Sequence, residues 1–113
     1  MPAEILAPEK DAAPSYENAR PVFVIDDLAE LRGPRSGVVT LPVELDWSPR
    51  RAYDLGESIR VINLYRTVLR EAASDDDLRK YLDRNTLLKL WKGLFIPQAV
   101  RHAWEQKQPE LNA

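Results

Sequence analysis

The apolar residues change period near Ser58, and that change constrains the fold more than any other feature of the chain. From there on, Val61, Ile62, Tyr65, Val68, Leu69 and Ala72 recur at spacings of three and four and share one helical face. Arg60, Asn63, Arg66, Thr67 and Arg70 fall mostly opposite, as the solvated side. Upstream, Val43, Leu45 and Trp47 alternate with Glu44, Asp46 and Ser48, the period of a half-buried strand. Strands first and helices after predict an α+β fold, a small N-terminal antiparallel sheet followed by three to four packed helices.

The front of the sheet begins at Val22-Phe23-Val24-Ile25, a short β-branched run that reads as a strand and stops at Asp26-Asp27. Asp26 is placed to cap a helical turn in which Leu28 and Leu31 share one side. Gly33-Pro34-Arg35-Ser36-Gly37 is a turn signal. As a phosphate loop it lacks the Lys-Ser or Lys-Thr ending and the following helix, since Val38-Val39-Thr40-Leu41 continues as a strand. Ser48-Pro49-Arg50-Arg51 turns the chain again, and Ala52-Tyr53-Asp54-Leu55 is expected to return beside Val43 to Trp47, packing Tyr53 on Trp47.

Behind the first long helix, Ser74 precedes Asp75-Asp76-Asp77, a cap followed by carboxylates at the positive helix end. As a calcium loop the three aspartates lack alternate spacing, a glycine turn and a distal glutamate. A third helix is expected to open at Asp83 or Asn85 and to carry Leu87, Leu88, Leu90, Trp91 and Leu94, with Gly93 near its C-cap. Pro97 suits the first position of a last helix that presents Val100, Ala103 and Trp104 and stops before Pro109. Residues 22–108 are thus expected to form one α+β domain. Residues 1–21, with four prolines, are expected to be a flexible acidic tail, and residues 109–113 to fray.

Composition excludes several chemistries. The absence of cysteine among 113 residues removes disulfides, thiolate metal sites and cysteine nucleophiles. A single histidine, His102, leaves no usual zinc set, and a Ser-His-Asp arrangement would rest on one residue. Carboxylate pairs such as Asp54 with Asp83 are conceivable in any chain with 18 acids. Neither catalysis nor a cofactor is expected. No apolar run approaches the roughly 20 residues needed to cross a bilayer, and the start lacks the pattern of a secretory signal, so a cytoplasmic setting is expected.

Charge is unevenly spread. Residues 1–45 carry 4 basic and 8 acidic side chains, and residues 46–113 carry 12 and 10, so a net −4 front precedes a net +2 back. An excess of two cations is too small to mark a nucleic-acid footprint, which permits DNA binding without indicating it. The last two helices carry Lys89, Lys92, Arg101, His102 and Lys107 around a short turn, which fits a helix-turn-helix or, more simply, two packed helices. Three tryptophans are many for one small core. Trp91 and Trp104, flanked by Arg84, Lys92 and Arg101, are therefore the candidate partner-binding residues, and their burial in the core is the competing reading.

Leu31-Arg32-Gly33-Pro34-x-Ser36-Gly37-Val38-Val39-x-Leu41-Pro42, followed by Leu45-x-Trp47-Ser48, resembles a pattern found in a set of small actinobacterial proteins. Tyr53-Asp54-Leu55, Leu64-Tyr65-x-x-Val68-Leu69-Arg70-Glu71, Asp77-Leu78, Tyr81-Leu82-Asp83, Leu90-Trp91 and Pro97-x-x-Val100-Arg101-x-Ala103-Trp104 are similar as well. The resemblance covers about residues 28 to 105. Some members of the set are encoded beside nucleotidyltransferase toxins of the AbiEii kind. The resemblance thus implies a protein partner, with an antitoxin or accessory role exerted by occlusion. A DNA-binding regulator using the last two helices is the alternative.

Overall fold

A computed structural model describes residues 22–112, so the expected tail at residues 1–21 and Ala113 lie outside the described residues. The chain is α+β: a two-stranded antiparallel sheet is followed by four helices. Strand β1, Val38–Thr40, pairs with β2, Ala52–Asp54, in the register Val38↔Asp54, Val39↔Tyr53 and Thr40↔Ala52. Each strand buries its central residue, so Val39 and Tyr53 form the inward pair. Gly37 enters β1 at φ +88, a conformation that glycine reaches without the Cβ clash.

The sheet is smaller than the alternation predicts. Val43 to Trp47 is not a strand. Leu45 N and Asp46 N both donate to Pro42 O, at 3.0 and 3.1 Å, which coils the segment into a turn. Coiling breaks the two-residue period, so Leu45 is buried while Trp47 stands 83% exposed, away from the expected packing on Tyr53. Val22 to Ile25 does not pair as a strand either. It runs as a strap across the end of the last helix, where Gln108 Nε2 donates to Ile25 O at 2.7 Å and Asp26 O at 2.9 Å. β-branched composition favours extended backbone, but a ladder also needs a neighbouring edge.

Asp27, not Asp26, caps the first 3-10 turn, Leu28–Glu30, accepting from Ala29 N at 3.0 Å. Leu28 and Leu31 are both buried, as their spacing requires. Helix α1, Ser58–Glu71, buries Leu64, Tyr65, Val68 and Leu69. Leu64 joins the expected face, and Val61 and Ile62 are only half buried.

Helix α2 spans Asp75–Tyr81. Ser74 Oγ accepts from Asp77 N at 3.3 Å, and the Asp77 carboxylate accepts from Ala73 N at 2.9 Å, a reciprocal closure of the first turn. The aspartates thus serve the helix end, as their position predicts. Ser74→Ala is expected to cost about 1 kcal/mol, read as a lower urea midpoint at unchanged slope.

Helix α3, Arg84–Leu90, is capped by Asp83, which accepts from Thr86 N at 3.0 Å. A 3-10 turn, Trp91–Gly93, leads to helix α4, Gln98–Lys107, with Pro97 at its N-cap. Residues 109–113 were expected to fray. Pro109–Asn112 instead form a 3-10 turn that buries Leu111, because Leu111 N reaches Gln108 O at 3.0 Å and brings the side chain onto the core.

Candidate functional site

Two of the five candidate partner-binding residues belong to the core. Trp91 is 1% exposed and Trp104 0%, their rings 6.2 Å apart and tilted by 43°. Turning α4 back onto α3 through Trp91 to Pro97 buries both rings, which sequence spacing does not reveal. Arg101 seals this turn: its guanidinium lies 5.0 Å from the Trp91 ring centroid and donates to Trp91 O at 3.2 Å and to Leu94 O. Arg84 is ion-paired with Glu110. Only Lys92 stands exposed with no ion pair among the described residues. The two tryptophans therefore serve the core and are not available as interface rings, while Arg84 and Arg101 make contacts within the fold and Lys92 remains at the surface.

The same bonds weaken the helix-turn-helix reading. Arg101 is engaged as described, and Lys107 pairs with Asp26 at 2.5 Å. His102 is exposed on α4. The carboxylates of Asp54 and Asp83 each hold local backbone, through Gly56 N and Thr86 N. Among the described residues no group of three His, Asp or Glu is arranged to hold a metal ion, and no helix is long and apolar enough to cross a membrane.

A more suggestive surface lies on the solvated side of α1. Arg60, Asn63, Arg66, Thr67 and Arg70 form one wall of an open groove of about 450 Å³, and Asp46, Ser48, Pro49, Arg50 and Tyr53 form the rest. Steps of three and four from Arg60 through Asn63 to Arg66 and Arg70 line these side chains along one side of α1, and the coiled Pro42 segment brings Asp46 over β2. Arg60 Nη2 donates to Arg50 O at 2.9 Å and Ala52 O at 3.0 Å, with its guanidinium 4.1 Å from the Tyr53 ring centroid. Arg66 Nε donates to Phe95 O at 2.9 Å, and Arg70 Nε pairs with Glu71 at 3.0 Å.

Two exposed aromatics adjoin this groove. Trp47 sits between the lining residues Asp46 and Ser48, and Phe95, also 83% exposed, has its ring centroid 5.8 Å from the Arg66 guanidinium. The sequence displayed the arginine row as the polar side of an amphipathic helix, the commonest pattern of a merely solvated face. Exposure of Trp47 had no sequence signal beyond the count of tryptophans.

Within the groove Tyr53 Oη donates to Asp46, and Ser48 N donates to the same carboxyl at 2.9 Å. Burial by itself pushes the Asp46 carboxyl up, but the bonds from Tyr53 and Ser48, with Arg51 nearby, outweigh it and hold the carboxyl below its usual value. Burial and the Asp46 charge push the Tyr53 phenol up, so its proton stays in place at neutral pH. A carboxyl with a lowered folded pKa stabilises the fold above its unfolded value of about 3.9, and that contribution is lost as pH falls through the folded value. In Tyr53→Phe the Asp46 midpoint, followed by carboxyl NMR, is expected to move upward. An unchanged midpoint would remove the phenol from this account.

A second, narrower cleft of about 250 Å³ lies between α1 and α3, lined by Leu55, Val61, Ile62 and Leu90 with Arg35 and Lys89 among its polar residues. No family model matches this chain, and neither a curated protein nor a solved structure matches it.

Proposed function

We propose that this chain is a protein-binding module, an antitoxin or accessory protein that neutralises a nucleotidyltransferase-type toxin by occlusion, and that the arginine groove with Trp47 and Phe95 is its docking face. The observation that carries this reading is the exposure of those two rings beside the arginine row. A fold that buries Trp91 and Trp104 completely gains nothing in its core from an exposed third tryptophan. Tryptophan and arginine are the residues most enriched at binding hot spots. Arg60 and Arg66 are already tied to backbone carbonyls, which reduces the side-chain entropy lost on association. The resemblance to proteins encoded beside such toxins supplies the class of partner.

Co-expression with the product of the neighbouring gene, followed by pull-down and growth rescue, tests the reading. Co-purification with rescue is expected, and Trp47→Ala is expected to weaken the complex by about 2 kcal/mol, as a hot-spot residue does. A truncation lacking residues 1–21 reports whether the acidic front also touches the partner. Failure of the full chain to bind or rescue, together with retention on DNA that falls steeply with salt, would replace this reading with the DNA-binding one.

A further inference from the structure

We infer that the groove receives an extended acidic segment of the partner, with carboxylates two residues apart seated on Arg66 and Arg70 and apolar side chains resting on Trp47 and Phe95. This rests on the reading above that the face docks a protein. An arginine carries five N–H donors in a planar fork. Arg66 and Arg70 are each anchored through Nε, to Phe95 O and to Glu71, and among the described residues the two terminal nitrogens of each guanidinium stay open to a bidentate carboxylate.

The spacing fits an extended chain. Arg66 and Arg70 are four residues apart on α1, a rise of about 6 Å. Side chains on one face of an extended segment repeat every two residues, about 6.7 Å. Arg50 and Arg60 add charge along the same groove, and its only lining carboxylate, Asp46, is already engaged by Tyr53 and Ser48. Of its four cations only Arg70 has a carboxylate beside it, Glu71, so among the described residues the groove keeps an excess of positive charge. Nucleic acid fits less well, because it calls for a basic field extending along a backbone, whereas this chain is net −2 even with these arginines included.

The full chain is to be titrated with a capped nonapeptide, Gly-Ser-Glu-Leu-Glu-Phe-Glu-Ser-Gly, and binding read from tryptophan fluorescence. Trp47 is the one tryptophan at the surface, so it reports the groove. A saturable change is expected that disappears when glutamine replaces the glutamates. In the double variant Arg66→Lys and Arg70→Lys, which keeps the charge and removes the forks, affinity is expected to fall about tenfold with the circular dichroism spectrum intact. Absence of saturable binding, equal binding of the glutamine peptide, undiminished binding by the lysine variant, or preference for a dodecathymidylate would each overturn the inference. Co-purification of a protein partner without peptide binding would overturn it while leaving the docking-module reading in place.

Discussion

Gly33→Ala is expected to lower the unfolding free energy by about 3 kcal/mol, at the upper end of what overpacking costs. A Cβ added at Gly33 would lie 2.6 Å from the Tyr81 carbonyl carbon and 2.8 Å from both Leu82 N and Tyr81 O. All three are backbone atoms, so no side-chain rotation relieves the clash. Nor can the strands simply part, because Gly33 N donates to Leu82 O at 2.7 Å and Arg84 N donates to Leu31 O at 3.2 Å across the Arg32↔Asp83 bridge. Among the described residues this is the one place where the front of the chain is bonded backbone to backbone onto the α2–α3 junction. Gly93→Ala is the matched control: nothing lies within 4 Å of its added Cβ, and the change is expected to stay within about 0.5 kcal/mol. Urea unfolding of the two variants measures the difference directly, and equal midpoints would mean that the junction yields freely.

Trp104→Ala is expected to cost about 3–5 kcal/mol, the range for removing a large buried ring. For a domain whose total stability is on the order of 5–15 kcal/mol, that loss moves thermal unfolding down by many degrees. The ring is fully buried against Trp91 and cannot be replaced by solvent without opening the α3–α4 turn. Trp104→Phe is expected to be much milder. The buried Trp104 Nε1 has no hydrogen-bond partner among the described residues, so phenylalanine removes an unsatisfied donor along with part of the ring. Trp91→Phe differs, because Trp91 Nε1 donates to Glu105 at 2.9 Å and that bond is lost. Calorimetric midpoints should therefore place Trp104→Phe above Trp91→Phe and Trp104→Ala lowest. Reversal of the two phenylalanine variants would show that the Glu105 bond adds little.

Both variants act at places whose importance was only partly legible beforehand. Glycine and proline around Gly33 marked a turn, but the need for a missing Cβ comes from Tyr81, far along the chain. The helices were more legible. Fourteen residues of α1 repeat one apolar spacing over several turns, and Ser74 and Asp83 sit where a cap must sit, so period and cap chemistry agree locally. Val43 to Trp47 misled because three alternations are too few to distinguish a strand from a turn, and Pro42 O captured both following amides. The candidate site suffered more. Trp91 and Trp104 carried the right chemistry for an interface and lie in the core, whereas the exposed rings are Trp47 and Phe95.

What the amino-acid order determined by itself was the α+β class, the start of α1 at Ser58 and its apolar face, the cap at Ser74, a further helix opening at Asp83 or Asn85, and the arginines on the outer side of α1. These depend on bonds and spacings within a turn or two of chain, where each residue's neighbours are written beside it. What only the tertiary structure decided was the β1–β2 pairing, the strap at Val22 to Ile25, the burial of Leu111, and which aromatic rings face water. Those outcomes depend on contacts between residues distant in sequence, such as Gln108 with Ile25 and Arg66 with Phe95. A tryptophan has the same apolar ring in either place, and the packing of the elements around it sets whether that ring closes the core or meets a partner.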